Sequence, residues 1–215
     1  MTTRPDLFSE AKEIARLDDP AVSSRCVKLK RRSNFQTTLL VTILLGLVAS
    51  FILLVHGYTG TTTRRGLYHP PIPGLIPYGM AVVVIALASL VSYCGCRNYY
   101  LLDPVLHRLY HHFSLFWYRR RQIVFREGEV FCITVEGRKQ SSKRGYYWVY
   151  RLTCIGMNGQ SEPLSDWRRD GLEEWNSKAL DLAGLLDCQS IVAPPKSTLS
   201  VELGDEVPAL TFIPG

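Results

Sequence analysis

The 215-residue sequence lacks the short motifs that carry the common enzyme chemistries. It contains no glycine-rich phosphate-binding loop and no dinucleotide-binding fingerprint, so we expect no cofactor. The segment Gly159–Pro163 (GQSEP) begins like the nucleophile elbow of hydrolases but ends in proline where that motif requires glycine. These absences argue against catalysis, and we predict a protein that is not an enzyme.

Cysteine is too sparse for a disulfide-stabilised secreted scaffold. Six cysteines are spread along the chain, and we expect all of them to be reduced. Cys132 and Cys154 lie in apolar, strand-like stretches, where a cysteine is usually a small core residue. Cys94 and Cys96 lie at the end of a long apolar run. We interpret them as small residues at a helix end, which is more common than acylation at such a position. A redox pair is disfavoured because the Cys-x-x-Cys spacing is missing.

Histidine provides only one arrangement that resembles a metal site, formed by His107, His111 and His112. Histidines four residues apart bind metal well on a helix. Here the segment is strand-like, so the two side chains share a face but lie about 13 Å apart. No carboxylates stand nearby to complete a ligand set. We therefore expect no metal at this place, and a metal or redox protein is the weakest of the functional alternatives.

Charge is absent from two long apolar runs, residues 37–55 and 75–94. Each run is long enough to cross about 30 Å of hydrocarbon as an α-helix, so we predict a two-span transmembrane hairpin over residues 35–96. The first run begins too late and is too long for a cleaved signal peptide. Because neither run contains a charged side chain, a proton or ion pathway has no support.

Lysine and arginine cluster at the ends of the hairpin and not in its connecting loop. Five basic residues stand at 25–32, arginines follow the second run, and the loop at 56–74 carries only Arg64 and Arg65. The positive-inside rule therefore places both termini in the cytoplasm and the loop outside, in a bacterial inner membrane or an equivalent one. Contact with anionic lipid explains these clusters better than nucleic-acid binding, and we expect no nucleic-acid partner.

The same clusters are candidate surfaces for lipid or for a protein partner. In the stretch 113–121 (FSLFWYRRR), the rings would lie at the membrane interface and the guanidinium groups on lipid phosphates. The alternative is a core strand that runs into a polar turn. The candidate lipid- or partner-binding residues are Lys28, Lys30, Arg31, Arg32, Trp117, Arg119, Arg120 and Arg121.

Small residues predict where the two spans touch. Gly46 and Ser50 are four residues apart in the first span, and Ala88 and Ser92 have the same spacing in the second. Small side chains at this spacing allow two helix backbones to approach closely. We therefore predict helix–helix packing through these four positions.

Residues 97–187 have the pattern of a soluble β-rich domain. Short β-branched and aromatic runs alternate with turn signals, and 129–137 and 146–156 are the clearest strands. Asn158-Gly159 predicts a hairpin, and Pro163 marks the following short strand as an edge. An amphipathic helix then begins near Asp170, the expected N-cap, and we predict a small barrel or sandwich closed by this C-terminal helix.

Two flanking segments complete the predicted organisation. Residues 1–34 form a cytoplasmic segment in which 6–17 have one apolar helical face, too short to be stable without a docking partner. Residues 188–215 form an acidic, proline-containing tail. The sequence leaves the oligomeric state open.

In its order of elements the chain resembles two families over about residues 30–187. The stretches YYLLDPVLHRLYHHF and LEEWNSKALDLAGLL resemble the bacterial membrane-anchored PH-like domain family. Arg31, Arg32, Ser33, Asn34 and Phe35 before the first span resemble the photosystem I assembly factor of cyanobacteria and chloroplasts. Both resemblances imply a PH-like or β-rich domain behind a membrane hairpin, with a non-catalytic role in scaffolding or assembly.

Three functions follow from these observations. The leading hypothesis is a membrane-anchored scaffold or assembly protein that binds a protein partner in a membrane complex through its cytoplasmic β-domain. The alternative is a PH-like module that senses anionic membrane lipid. The weakest is a metal or redox protein that uses His107, His111 and His112.

Overall fold

The computed structural model describes residues 14–59, 61–62, 66, 68–143, 145–169, 171–204 and 207–215. By contacts between its residues the chain divides into two compact units. One, here called the β-unit, consists of Met1–Arg32, Asn98–Phe113 and Arg120–Gly215. The other, the hairpin unit, consists of Ser33–Arg97 and Ser114–Arg119.

Two long helices dominate the hairpin unit, α2 (Asn34–Tyr58) and α3 (Ile76–Gly95). Helix α2 begins at a capping box: the Ser33 hydroxyl accepts from the Gln36 backbone N–H, and the Gln36 side chain accepts from the Ser33 N–H. Pro77 occupies the first turn of α3, where a missing N–H costs little. Both helices are long and apolar enough to cross a membrane, as the sequence predicted.

The two helices pack through small residues. A Cβ atom added at Gly46 would lie 3.1 Å from the Ala86 Cβ, and one added at Gly79 would lie 3.0 Å from the Leu54 side chain. Of the two residues predicted for α2, Gly46 therefore faces Ala86 of α3, and Ser50 is buried. In α3 the structure differs from the expectation: Ala86 occupies the contact, and Ala88 is exposed. Ala86 continues the row that starts at Gly79, whereas Ala88 is two residues further round the helix.

The connection between the helices contains short elements. Strands β2 (Thr61–Thr62) and β3 (Tyr68–His69) pair, and a 3₁₀ turn covers Pro73–Leu75. The predicted loop at 56–74 therefore begins later than expected, because α2 continues to Tyr58.

Most of the remaining strands form two four-stranded sheets. The first has the order β1-β4-β5-β6 and the second the order β10-β7-β8-β9. A short helix, α1 (Pro20–Ser23), precedes β1. The strands of the first sheet are β1 (Val27–Lys30), β4 (Cys96–Asp103), β5 (Arg108–Leu115) and β6 (Tyr118–Phe125). Those of the second are β7 (Val130–Ser142), β8 (Gly145–Gly156), β9 (Ser161–Pro163) and β10 (Gln189–Ile191).

One apolar core of the β-unit contains side chains from both sheets and from helix α4 (Leu172–Leu186). The register of β7 and β8 pairs Ile133 with Cys154 and Val135 with Leu152, which puts these side chains on one face. The core also includes Tyr100, Leu102, Leu109, Leu164, Trp175, Ala179, Leu182 and Leu186. At this coarse level the predicted architecture, two apolar helices plus a sheet-rich part with an amphipathic helix, is confirmed.

The structure places the ends of the β-unit differently from the predicted domain boundaries. Strand β1 comes from the segment before the hairpin and pairs antiparallel with β4. The segment that we treated as an acidic tail supplies β10, parallel to β7, and the hairpin of β11 (Ser197–Leu203) and β12 (Pro208–Pro214). The alternation of apolar and polar residues in these strands is short, and prolines lie close to it, so the sequence pattern did not predict them as strands.

Three local features of the β-unit and the hairpin unit were not predicted. The polar stretch between the predicted strands 129–137 and 146–156 continues both strands as far as the pair of Ser142 and Gly145. Strands β5 and β6 are separated by a turn at Phe116-Trp117. Helix α4 has Gly171 as its N-cap, without a side-chain capping bond. Asp170 lies outside the described residues, as does most of the predicted helix at 6–17, of which residues 14–16 are helical.

Candidate interaction surfaces

A cleft of about 600 Å³ lies at the turn end of the β7–β8 hairpin, within the β-unit. Its floor is set by strand pairing, which places Gln140 opposite Tyr147. Its wall is the segment Trp167–Arg169, held along β8 by two backbone hydrogen bonds between Tyr150 and Arg168, of 2.8 and 2.9 Å. The described lining residues are Gln140, Ser142, Gly145, Tyr146, Tyr147, Val149, Trp167, Arg168 and Arg169.

Aromatic rings and cations alternate around this cleft. The Arg169 guanidinium lies 4.9 Å from the centre of the Tyr147 ring, and the Tyr147 hydroxyl donates to Gln140 Oε1 at 2.9 Å. The Arg151 guanidinium lies 4.2 Å from the Trp167 ring. Cation–π contacts of this kind hold rings in place without covering both faces. The cleft therefore presents ring surface in fixed positions.

The charge of the cleft is positive. Among the described lining residues the ionised side chains are Arg168 and Arg169, both exposed, and none is a carboxylate. Guanidinium groups bind carboxylates and phosphates through paired hydrogen bonds. Rings between such groups add apolar contact area. This arrangement suits an acidic segment of a protein, and the described lining contains no cysteine or histidine for nucleophilic or acid–base chemistry.

Arg31, one of the predicted lipid or partner residues, is engaged inside the β-unit. Its Nη1 donates to the Tyr100 hydroxyl at 2.8 Å, to Glu162 Oε1 at 3.0 Å and to the Pro163 carbonyl at 2.9 Å. The Tyr100 hydroxyl also donates to Glu162. Burial, and then the neighbouring Glu162, raise the pKa of Tyr100 well above its ordinary value. We call this set, with Asn98 and His111, the Arg31 network.

Two further side chains extend the Arg31 network. The Asn98 side-chain amide donates to the Arg31 carbonyl at 2.9 Å, and His111 Nε2 lies 2.7 Å from Asn98 Oδ1. Burial lowers the pKa of His111, since the charged imidazolium loses hydration there. These contacts join the end of β1 to β4, β5 and β9, so Arg31 stabilises the β-unit.

Arg121 is also engaged within the β-unit. Its Nη2 lies 2.8 Å from Asp18 Oδ1, and its Nε donates to His112 Nδ1 at 3.0 Å. The other predicted basic residues are exposed: Lys28, Lys30, Arg32, Arg119 and Arg120. Trp117, in the turn between β5 and β6, is 91% exposed.

The three histidines that suggested a metal site have separate contacts. His107 Nδ1 lies 3.0 Å from the Leu185 carbonyl, His111 contacts Asn98, and His112 contacts Arg121. In the described part of the chain no group of three or more potential metal ligands is found.

The six cysteines are free thiols. Cys132 and Cys154 are fully buried, as expected for core residues. Burial raises the pKa of Cys132 to about 12 and that of Cys188 to about 11. At the end of α3, Cys94 is exposed and Cys96 is buried.

The cleft residues were missed by the sequence argument. Tyr146 and Tyr147 were counted only as strand residues, and Arg168 and Arg169 were assigned no role. The adjacent arginines next to Trp167 are the one signal that a search for cation–aromatic groups would have found. Their convergence on Tyr147 depends on strand pairing, which residue patterns do not specify uniquely.

Comparisons with known proteins leave the chain without an assigned family. No protein-family model, no curated protein and no solved structure matches it. The PH-like and assembly-factor resemblances therefore stay expectations.

Proposed function

We propose that this protein is a non-catalytic, membrane-anchored interaction module that acts as a scaffold or assembly factor. Helices α2 and α3 cross the membrane with both termini in the cytoplasm. The β-unit, a PH-like domain, binds a protein partner in the cleft at the end of the β7–β8 hairpin. The observation that carries this proposal is the positively charged aromatic cleft in a chain with two apolar helices.

The proposed ligand of the cleft is an acidic segment of a partner protein. Arg168 and Arg169 lie on the same wall, where they pair with carboxylates, and Tyr147 and Trp167 supply apolar surface between them. Because the arginines are exposed, each contact is screened by salt, and the partner is expected to bind reversibly.

Site-specific photo-crosslinking in native membranes tests this proposal. A photoreactive amino acid in place of the exposed Tyr146 is expected to capture a partner. The same amino acid at the exposed Met157, beyond the other end of β8, is the matched control.

Charge reversal of both arginines, Arg168→Glu with Arg169→Glu, is expected to reduce the captured product about tenfold or more, since two charge-assisted contacts are lost. Arg120→Glu, an exposed arginine outside the cleft, should leave it unchanged. Equal amounts of captured partner at Tyr146 and Met157, or an amount that charge reversal of the two arginines does not change, would contradict the proposal.

Anionic-lipid sensing is the second candidate function, favoured by the five exposed basic residues. The full chain in lipid nanodiscs with and without anionic lipid separates it from the first. Slower amide exchange in β1 and β6 with anionic lipid, reversed by salt, would support it. Exchange that is independent of lipid charge would reject it.

A further inference from the structure

The turn between β5 and β6 exposes an unusual amount of aromatic surface. It consists of Phe116 and Trp117, followed by Tyr118 and Arg119, and it belongs to the hairpin unit. Phe116 has a φ of 52°, a left-handed conformation that side chains other than glycine seldom adopt. A two-residue turn between paired strands requires such a backbone, but glycine or asparagine is the usual residue. Here two large rings stand in its place.

Phe116 attaches this turn to the last residue of helix α3. Its N–H donates to the Gly95 carbonyl, at 3.4 Å. A Cβ atom added at Gly95 would lie 2.6 Å from the Phe116 ring, so the ring lies directly on the glycine backbone. The position of the turn is therefore fixed within about one residue of the end of the charge-free run.

The beginning of α2 lies at the same end of the hairpin unit. Gln36 Nε2 donates to the Cys96 carbonyl at 3.0 Å, which joins the first turn of α2 to the end of α3. Phe35, the residue before Gln36, is exposed, and so are Trp117, Tyr118 and Arg119. With Phe116, which is 47% exposed, this end of the hairpin unit carries four exposed aromatic side chains and an exposed arginine, directly beyond two apolar helices.

The exposure of Trp117 indicates which surroundings suit this end of the hairpin unit. Its side chain is 91% exposed, although burying a ring of this size from water is worth several kcal/mol, about 25 cal/mol per Å². Tryptophan and tyrosine concentrate at the headgroup level of membranes, where an apolar ring and a polar N–H or O–H are both satisfied. Arginine at this level reaches lipid phosphates.

We propose that the Phe116–Arg119 turn is a third membrane contact, which places the Trp117 ring in the headgroup layer of the bilayer crossed by α2 and α3. This inference rests on the proposed insertion of the hairpin. It differs from anionic-lipid sensing because the ring is held by apolar and dipolar contacts, so the contact forms on zwitterionic lipid as well.

Tryptophan quenching by brominated lipids tests this contact in the full-length protein reconstituted into zwitterionic vesicles. The chain has four tryptophans, and conservative variants identify the contribution of each. Trp117→Phe is expected to lose most of the bromolipid-dependent quenching. Trp167→Phe, which alters a ring in the β-unit, is the matched control and should keep it. Iodide added to the aqueous phase should quench Trp117 weakly.

The possible results separate this inference from the proposed function. If alkaline carbonate extracts the protein from the vesicles, the hairpin is not inserted, and both proposals fall. If the protein resists extraction and Trp117→Phe retains wild-type quenching, the turn does not touch lipid, and only this inference is overturned. Protection of Trp117 from both bromolipid and iodide would mean that a protein covers the turn, which also overturns it.

Discussion

The β-unit and the hairpin unit are both rich in large apolar side chains, but they place them in opposite ways. In the β-unit Leu102, Leu109 and Ile133 are completely buried. In the hairpin unit Leu45 is 65% exposed and Phe51 is 69% exposed. Exposed apolar surface of this extent on neighbouring helix turns is unfavourable in water and neutral in hydrocarbon. The two units therefore place their apolar side chains oppositely, and the exposed surface of the hairpin unit is compatible with hydrocarbon.

Polar groups follow the same division. The β-unit holds a charged network, with Arg31, Tyr100 and Glu162 partly or fully buried and hydrogen-bonded to one another. In helix α2 the side-chain hydroxyls donate hydrogen bonds to backbone carbonyls of the same helix. Thr42 donates to the Thr38 carbonyl at 3.0 Å, and Ser50 donates to the Leu47 carbonyl at 2.9 Å. A hydroxyl that is satisfied within its own helix needs no water, which is the requirement inside a bilayer.

The largest expected effect compares an isoleucine in each unit. Ile133→Ala removes a fully buried side chain from the central strand β7 and is expected to lower the free energy of unfolding by about 2–5 kcal/mol. Ile85→Ala, in α3, alters a side chain that is 57% exposed and should cost much less in detergent or lipid. Chemical denaturation of the solubilised full chain measures both. Equal losses would contradict the difference in burial between the two units.

A second comparison lies inside the hairpin unit, between Ala86 and Ala88. Ala86→Leu forces a larger side chain against Gly46 and is expected to cost about 1–3 kcal/mol, the usual range for overpacking. Ala88→Leu adds the same atoms on the exposed face and should have little effect. Thermal unfolding of the two variants, followed by circular dichroism in one detergent, decides between them. A larger loss from Ala88→Leu would restore the helix contact predicted from the sequence.

The Arg31 network gives the third prediction. Glu162→Gln keeps the shape of the side chain but removes the charge that accepts from Arg31 and Tyr100. Hydrogen bonds to charged groups are worth more than neutral ones, and partial exposure reduces the loss to about 1–2 kcal/mol. Glu174→Gln is the control, because its carboxylate pairs with Lys178 on the surface of α4 and little change is expected. Chemical denaturation at pH 7 measures both, and equal small effects would show that the network contributes no stability.

The smallest expected effect is a pH dependence in the β-unit. The folded state lowers the pKa of His111 below its ordinary value of 6.5, so the unfolded chain binds its proton at higher pH than the folded chain does. Stability is therefore complete above pH 6.5, falls as the pH decreases below it, and levels off below the folded pKa. His111→Gln should flatten this part of the profile. A variant that keeps the wild-type slope below pH 6.5 would assign the dependence to other groups.

The helices were the easiest elements to predict. A run of 20 apolar residues has few alternatives, so both long helices were predicted from composition alone, whereas the capping box of Ser33 and Gln36 was recognised only in the structure. The Asn158-Gly159 turn between β8 and β9 was equally local: Gly159 has a φ of 75°, and Asn158 Oδ1 accepts from the Gln160 N–H. The edge position of β9 followed from Pro163.

Pairings across long separations were not predictable in the same way. Strand β10, which follows helix α4 in the sequence, pairs with β7 in parallel. Strand β1 precedes the hairpin in the sequence but pairs with β4, which follows it. Both strands are short, and each had been taken as part of a flanking segment. In helix α3 the small residues correctly indicated a close helix–helix contact. Whether Ala86 or Ala88 faces α2 depends on the rotation of α3 about its axis, which is set by packing against α2.

By itself the sequence determined the three long helices, the two of them that suit hydrocarbon, and the Asn158-Gly159 turn, because these depend on neighbours within a few residues. Only the tertiary structure decided which arginines are available to a partner. Arg31 was predicted as a lipid- or partner-binding residue, yet its guanidinium pairs with Glu162, 131 positions away. The cleft of Tyr147, Trp167 and Arg169 likewise exists only once β7, β8 and the following segment lie side by side. Charge and aromatic content are properties of residues, whereas a binding surface is a property of the distances between them.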